Sequence, residues 1–214
     1  MNEDIAGRAL VIAERLELAD WRRQVSEIYA AIRAEPDAVA AWMRWRDVRD
    51  RLFRSHAQSP VPAAERGDAT SPAYYDYDPA LRTVADIDAA DGATFELPGS
   101  TDGHVTAERA GTAHFSLDGV ALTLSMFWLL DYAGGFFLSF RDATSGDETY
   151  GAGRYLLDTA KGADLGTGGD GRLTLDFNFS YQPSCSYDPR WSCPLPPREN
   201  WLTIPIRAGE RLRR

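Results

Sequence analysis

Eight residues, Glu148-Thr149-Tyr150-Gly151-Ala152-Gly153-Arg154-Tyr155, concentrate the chemistry of this chain. In a strand, side chains alternate faces, which would put Glu148, Tyr150 and Arg154 on one side with small Ala152 between them. Gly151 and Gly153 would clear the other side for close approach of backbone or ligand. Arginine offers a planar donor fork to carboxylate or phosphate, so the trio could hold an anionic or polyol-like ligand. It could equally be a buried Arg–Glu pair that fixes strand register.

A second group is Leu175-Asp176-Phe177-Asn178. On a strand, Asp176 and Asn178 face one way and Leu175 and Phe177 the other. Asp176 is a natural partner for Arg154 or Arg141. Left unpaired in a pocket, it would be a general base with a raised pKa. Cys185 and Cys193 lie eight apart among Pro183, Pro189, Pro194, Pro196 and Pro197. They could form a structural pair or a disulfide, a redox pair, half a metal site, or a nucleophile with a distant base. Zinc would need two more ligands, and His56, His104 and His114 stand at no motif spacing, so no metal site is expected. The glycine-rich run 161–171 lacks the Gly-Lys-Ser/Thr ending of a phosphate loop and is expected to be a turn. No nucleophile elbow, zincin or dinucleotide fingerprint appears, and no cofactor is implied.

These residues need elements to position them. Residues 1–55 carry apolar residues at helical spacing: Leu18, Trp21, Val25, Ile28 and Ile32, then Trp42, Trp45 and Leu52 after the break at Pro36. An N-terminal helical hairpin is expected, its Trp-bearing face against a sheet. Residues 56–80 read as a Pro/Ser/Ala-rich linker wrapping the domain, pinned by Tyr74, Tyr75 and Tyr77. From residue 81 the period becomes two. Strands are expected over 81–87, 93–97, 104–109, 112–118, 120–128, 135–141, 148–157, 171–177 and 201–206, separated by turn signals such as Asp118-Gly119. The expected fold is mainly β, an antiparallel barrel or two-sheet sandwich over 81–214, with a helical extension and α+β overall.

The C-terminal run also resembles a known family. Phe140-Arg141-Asp142 with Thr144, Gly146, Glu148, Thr149 and Tyr150 is followed by Gly153-Arg154-Tyr155-Leu156 and Asp176-Phe177-Asn178. Then come Pro183, Cys185, Cys193-Pro194-Leu195-Pro196-Pro197, Glu199-Asn200 and Ala208-Gly209-Glu210. Together with 56–60 and 77–82, this pattern is similar to the uncharacterised prokaryotic domain of unknown function 1684. The resemblance implies no established activity.

Composition narrows the functions. The formal charge is −9, and residues 1–55 balance ten Arg against ten acids, so the acidic excess lies in 56–214. Without a basic patch, nucleic acid and anionic membrane surfaces are not expected partners. The N-terminus is not a secretory signal and no apolar run spans a bilayer, so a soluble cytoplasmic protein is expected. The favoured expectation is a small-molecule-binding β-barrel. Its polar floor would be Glu148, Tyr150, Arg154, Asp176 and Asn178, the ligand small and polar or anionic. The alternatives are an acid–base enzyme using Asp176 or Glu148 with Arg154, and a structural or partner-binding protein.

Overall fold

The computed structural model describes residues 2–67, 70–130, 134–168 and 170–213, with side chains from residue 10 onward. Two antiparallel helices, α1 (Asn2–Ala34) and α2 (Ala38–Ser55), open the chain. Pro36 stops the first. Asp37 starts the second, its carboxylate accepting from the amides of Val39 (2.9 Å) and Ala40 (3.1 Å), which satisfies two orphan donors of the first turn. Ile28, Tyr29 and Ile32 of α1 and Ala41, Trp42, Trp45, Leu52 and Phe53 of α2 are buried.

Among the described residues of 56–72 no strand forms, and a 3-10 turn lies at Ala63–Glu65. Arg66 fastens them by donating to the carbonyls of His56 (2.9 Å) and Val61 (2.8 Å). β1 (Ala73–Tyr74) follows, then the main sheet: β2 (Arg82–Ala89), β3 (Thr94–Pro98), β4 (His104–Leu117), β5 (Val120–Leu129), β6 (Phe136–Phe140), β7 (Arg154–Asp158) and β8 (Leu173–Asp176). β9 (Glu210–Arg211) returns to pair with β1. The sheet order is β7-β6-β5-β4-β2-β8, with β3 also on β4 and every pairing antiparallel. It curls into a half-barrel, giving a mainly β, α+β protein with a helical extension.

The curl has local causes. β2 pairs with β8 through residues 82–85 and with β4 through 86–89, so one strand spans two directions of the sheet. β4 carries a register shift between Arg109 and Gly111, the signature of a bulge, which bends and twists a strand. A Cβ on Gly111 would sit 2.8 Å from the Asp88 carbonyl oxygen, so only glycine lets β2 approach there.

The strand list predicted from sequence changes in three places. Residues 104–109 and 112–118 are one strand across that bulge. Residues 148–153 are not strand. Asp142 accepts from the Thr144 amide (2.6 Å) and hydroxyl, and the Thr144 carbonyl accepts from the amides of Asp147, Glu148 and Thr149. These local bonds replace a strand ladder with a tight turn. Residues 201–206 form no strand either; the chain pairs later, at β9.

The main core joins helices to sheet: Trp42 and Trp45 share one apolar cluster with Phe140, Phe177 and Phe179. Trp45 sits edge-on to Phe179 (5.4 Å) and Tyr74 (5.6 Å). A second cluster, Leu97, Ala107, Phe127 and Phe137 with Tyr155 and Cys193, lies under the loop 183–197. Among the described residues, no helix is long and apolar enough to cross a membrane.

Candidate functional site

The family-like motifs build a buried polar frame. Arg154, at the start of β7, is fully buried and pairs with Asp142 at 2.6 Å. It also donates to the carbonyls of Ile206 (2.7 Å), Ala208 and Glu210 (3.1 Å), and its guanidinium lies 5.1 Å from the Phe140 ring centre. Thr144 and Thr149 share a hydroxyl contact of 2.9 Å beside Asp142. Glu210, buried on β9, pairs with Arg49 of α2 and accepts from the Gln182 amide (2.6 Å) and the Tyr187 hydroxyl (3.0 Å). Asn200 accepts from the Ser125 amide (2.7 Å) and donates to the carbonyls of Ser125 and Ser139 (both 2.9 Å), stitching β5 to β6. Gly209 follows Ala208 with φ of 70°, and a Cβ there would stand 2.3 Å from the Ser180 carbonyl oxygen, so the frame admits only glycine.

The five residues of the expected polar floor are distributed over this frame. Glu148, Tyr150 and Arg154 share no strand face, because the segment before Arg154 is a turn. Glu148 is held by Arg207 (2.6 Å) and the Tyr75 hydroxyl (3.0 Å). The Tyr150 hydroxyl meets the Cys185 sulfur at 3.8 Å. Arg154 takes Asp142, not Asp176, as its carboxylate. Asp176 and Asn178 do come together. Asp176 caps a 3-10 turn, Phe177–Phe179, accepting from the amide (3.1 Å) and side chain (2.9 Å) of Asn178. The Tyr77 hydroxyl (3.2 Å) and the Arg82 guanidinium (3.7 Å) reach its other oxygen. Asn178 completes a reciprocal pair with the Asp78 backbone, at 2.9 and 2.8 Å.

Asp176 also lines a cavity of about 240 Å³ between the helices and the sheet, with Arg33, Glu35 and Arg82 on its walls. Burial pushes its carboxyl above the ordinary range, against the hydrogen bonds from Asn178 and the charge of Arg82.

A larger cavity, about 610 Å³, lies at the mouth of the half-barrel. It continues the inward rows of the core strands. β2 leads from buried Ala85 to Ile87 and Ala89, β4 from Ala113 to Gly111, and β5 from Leu124 to Met126. Leu157 and Phe136 form the far wall; Thr159, Asp164 and Thr167 stand on its edge. Small residues where the rows leave the core keep the trough unfilled. The Ala110-Gly111 pair was its available signal in the sequence, masked because single small residues in strands are common. Among the described residues, no three His, Cys, Asp or Glu side chains gather as a metal site.

The fold has a solved counterpart. The solution NMR structure of an uncharacterised protein from Haloarcula marismortui is 39% identical, covering 78% of this chain and 90% of that one, with a TM-score of 0.58. No curated protein matches the chain. The family model described as "Protein of unknown function (DUF1684)" matches residues 70–211, the span that holds the whole sheet and the buried frame except Arg49, and the chain belongs to that family.

Proposed function

We propose that the protein binds a small molecule in the trough of the half-barrel. The observation that carries this reading is the 610 Å³ cavity lined by residues of six strands. That volume falls in the usual range for ligand sites, roughly 300–1,000 Å³, and such sites favour barrel mouths with mostly apolar walls and few polar groups. The walls select an apolar body. Thr159 and Thr167 offer hydroxyls to a polar end, while the Asp164 carboxylate beside them is engaged by Arg33 (3.5 Å) and the Gly166 amide (2.8 Å).

The polar residues around Arg154 support a framework role, because protein groups take both terminal nitrogens of its guanidinium, leaving only Nε without a partner. The acid–base reading draws less support. Glu148 is tied to Arg207, Arg154 is enclosed, and Asp176 serves as a cap.

Nile red, a neutral apolar dye, tests the proposal by fluorescence titration. The natural protein is expected to bind one dye per chain. Ala89→Trp, at the mouth, is expected to weaken binding by at least about tenfold, equivalent to about 1.4 kcal/mol, with an unchanged circular dichroism spectrum. Equal binding by both proteins, or none by the natural one, would sink the reading. Native mass spectrometry of freshly isolated protein would then identify any retained compound.

A further inference from the structure

We infer that Cys185 and Cys193 form a peroxide-reactive dithiol, with Cys185 the attacking sulfur and Cys193 the resolving one. Neither belongs to the trough. Both are free thiols in the structure, and Cys185, at one end of the nine-residue segment 185–193, packs against the apolar cluster that holds Cys193 at the other. Cys185 is half-buried and reachable from solvent; Cys193 is buried in the second apolar cluster. That asymmetry suits an attacking thiol on the outside and a resolving thiol behind it.

Both ends of the segment are held rigidly. Cys185 lies in a 3-10 turn, Ser184–Ser186, that Pro183 precedes. Cys193 is fixed against the end of β3. Its amide donates to the Ser100 hydroxyl (3.0 Å), and its carbonyl accepts from the Ser100 amide (2.8 Å). The next residue, Pro194, accepts from the Tyr155 hydroxyl (2.5 Å). With both cysteines packed in one cluster, closing the bond needs little chain rearrangement.

The surroundings also favour a thiolate at Cys185. The Cys193 thiol beside it, against partial burial, and the Tyr150 hydroxyl at 3.8 Å bring the Cys185 thiol down to about 6. The Cys185 sulfur and burial push Cys193 upward, so the proton between them rests on Cys193. The other ionisable groups facing the pair are Tyr155 and, toward Cys193, the Lys161 ammonium.

The reaction balances with a hydroperoxide as oxidant. The Cys185 thiolate attacks one peroxide oxygen; an S–O bond forms, the O–O bond breaks, and hydroxide leaves. The sulfur loses two electrons and becomes a sulfenic acid. Cys193 then attacks that sulfur, its proton goes to the departing oxygen, and water leaves as the disulfide forms. Two thiols and one hydrogen peroxide give one disulfide and two waters.

The test uses the full chain, reduced, then exposed to hydrogen peroxide and read by intact mass after alkylation. The natural protein is expected to lose both alkylatable thiols and two hydrogen atoms, with dithiothreitol restoring them. Cys193→Ser should stop at a sulfenic acid on Cys185 that dimedone traps. Cys185→Ser should leave Cys193 unreacted. Alkylation of Cys185 should rise with an inflection near pH 6 rather than the usual value of about 8.5, and Tyr150→Phe should move that inflection upward. The idea is overturned if the natural folded protein keeps both thiols under peroxide. It is equally overturned if Cys193 reacts as fast as Cys185. The experiments on the natural chain decide this even if a cysteine variant fails to fold.

Discussion

Arg154 shows what a single buried charge requires. Its guanidinium has lost water on every side and meets one carboxylate and three backbone carbonyls instead. Arg154→Met should therefore destabilise the fold by about 3–5 kcal/mol, since it leaves Asp142 buried without its countercharge. Arg154→Met with Asp142→Asn should recover part of that loss but not all, because three carbonyls stay unpaired. Urea unfolding of both variants checks this; a near-neutral single variant would refute the framework role. The sequence made Arg154's need for a partner visible but not the partner's identity. Asp142 stood in the same motif block, twelve residues earlier. A strand over 148–153 would set partners by alternating faces, whereas the Asp142–Thr144 turn redirects the backbone and brings Asp142 to Arg154.

At the scale of elements, the helices divide into a packed part and an exposed part. Trp45 is fully buried between Phe179 and Tyr74, with Arg49 stacked on its ring at 4.9 Å. Leu16, half a helix away on α1, is 65% exposed. Trp45→Ala should cost about 3–5 kcal/mol, whereas Leu16→Ala should stay within about 0.5 kcal/mol. Thermal melts of the two variants separate these outcomes; a large effect of Leu16→Ala would mean that α1 packs along its whole length. Helices and hairpins were legible because their signals are local. Proline, an Asp cap and spacing by three or four mark α2, and Asp118-Gly119 marks the β4–β5 turn. The β1–β9 pairing was not legible. Each strand has two residues, too few to show alternation, and they meet across more than 130 positions of sequence. The trough was hidden for a related reason. It depends on which inward rows end together at the barrel mouth, and that follows from how β2 and β4 bend.

At the scale of the molecule, helices and sheet share one apolar cluster. We propose that 81–214 forms the β unit, 56–80 wraps it, and 1–55 completes its core. Limited proteolysis should then cut first within 65–72, where Glu65 and Gly67 are exposed, and the two pieces should stay associated on a native gel. Separation of the pieces, or early cuts through 120–157, would count against this organisation.

The grip of Arg154 on residues 206–210 also has a consequence during synthesis. A ribosome adds residues in order, at about 5–20 per second, so β7 emerges several seconds before the carbonyls that complete its arginine's shell. Until those residues arrive, Arg154 cannot give up its water without a large desolvation penalty. The nascent sheet must therefore keep one wall hydrated while the rest of the chain follows. The segment 206–210, which runs into β9, is what seals the interior.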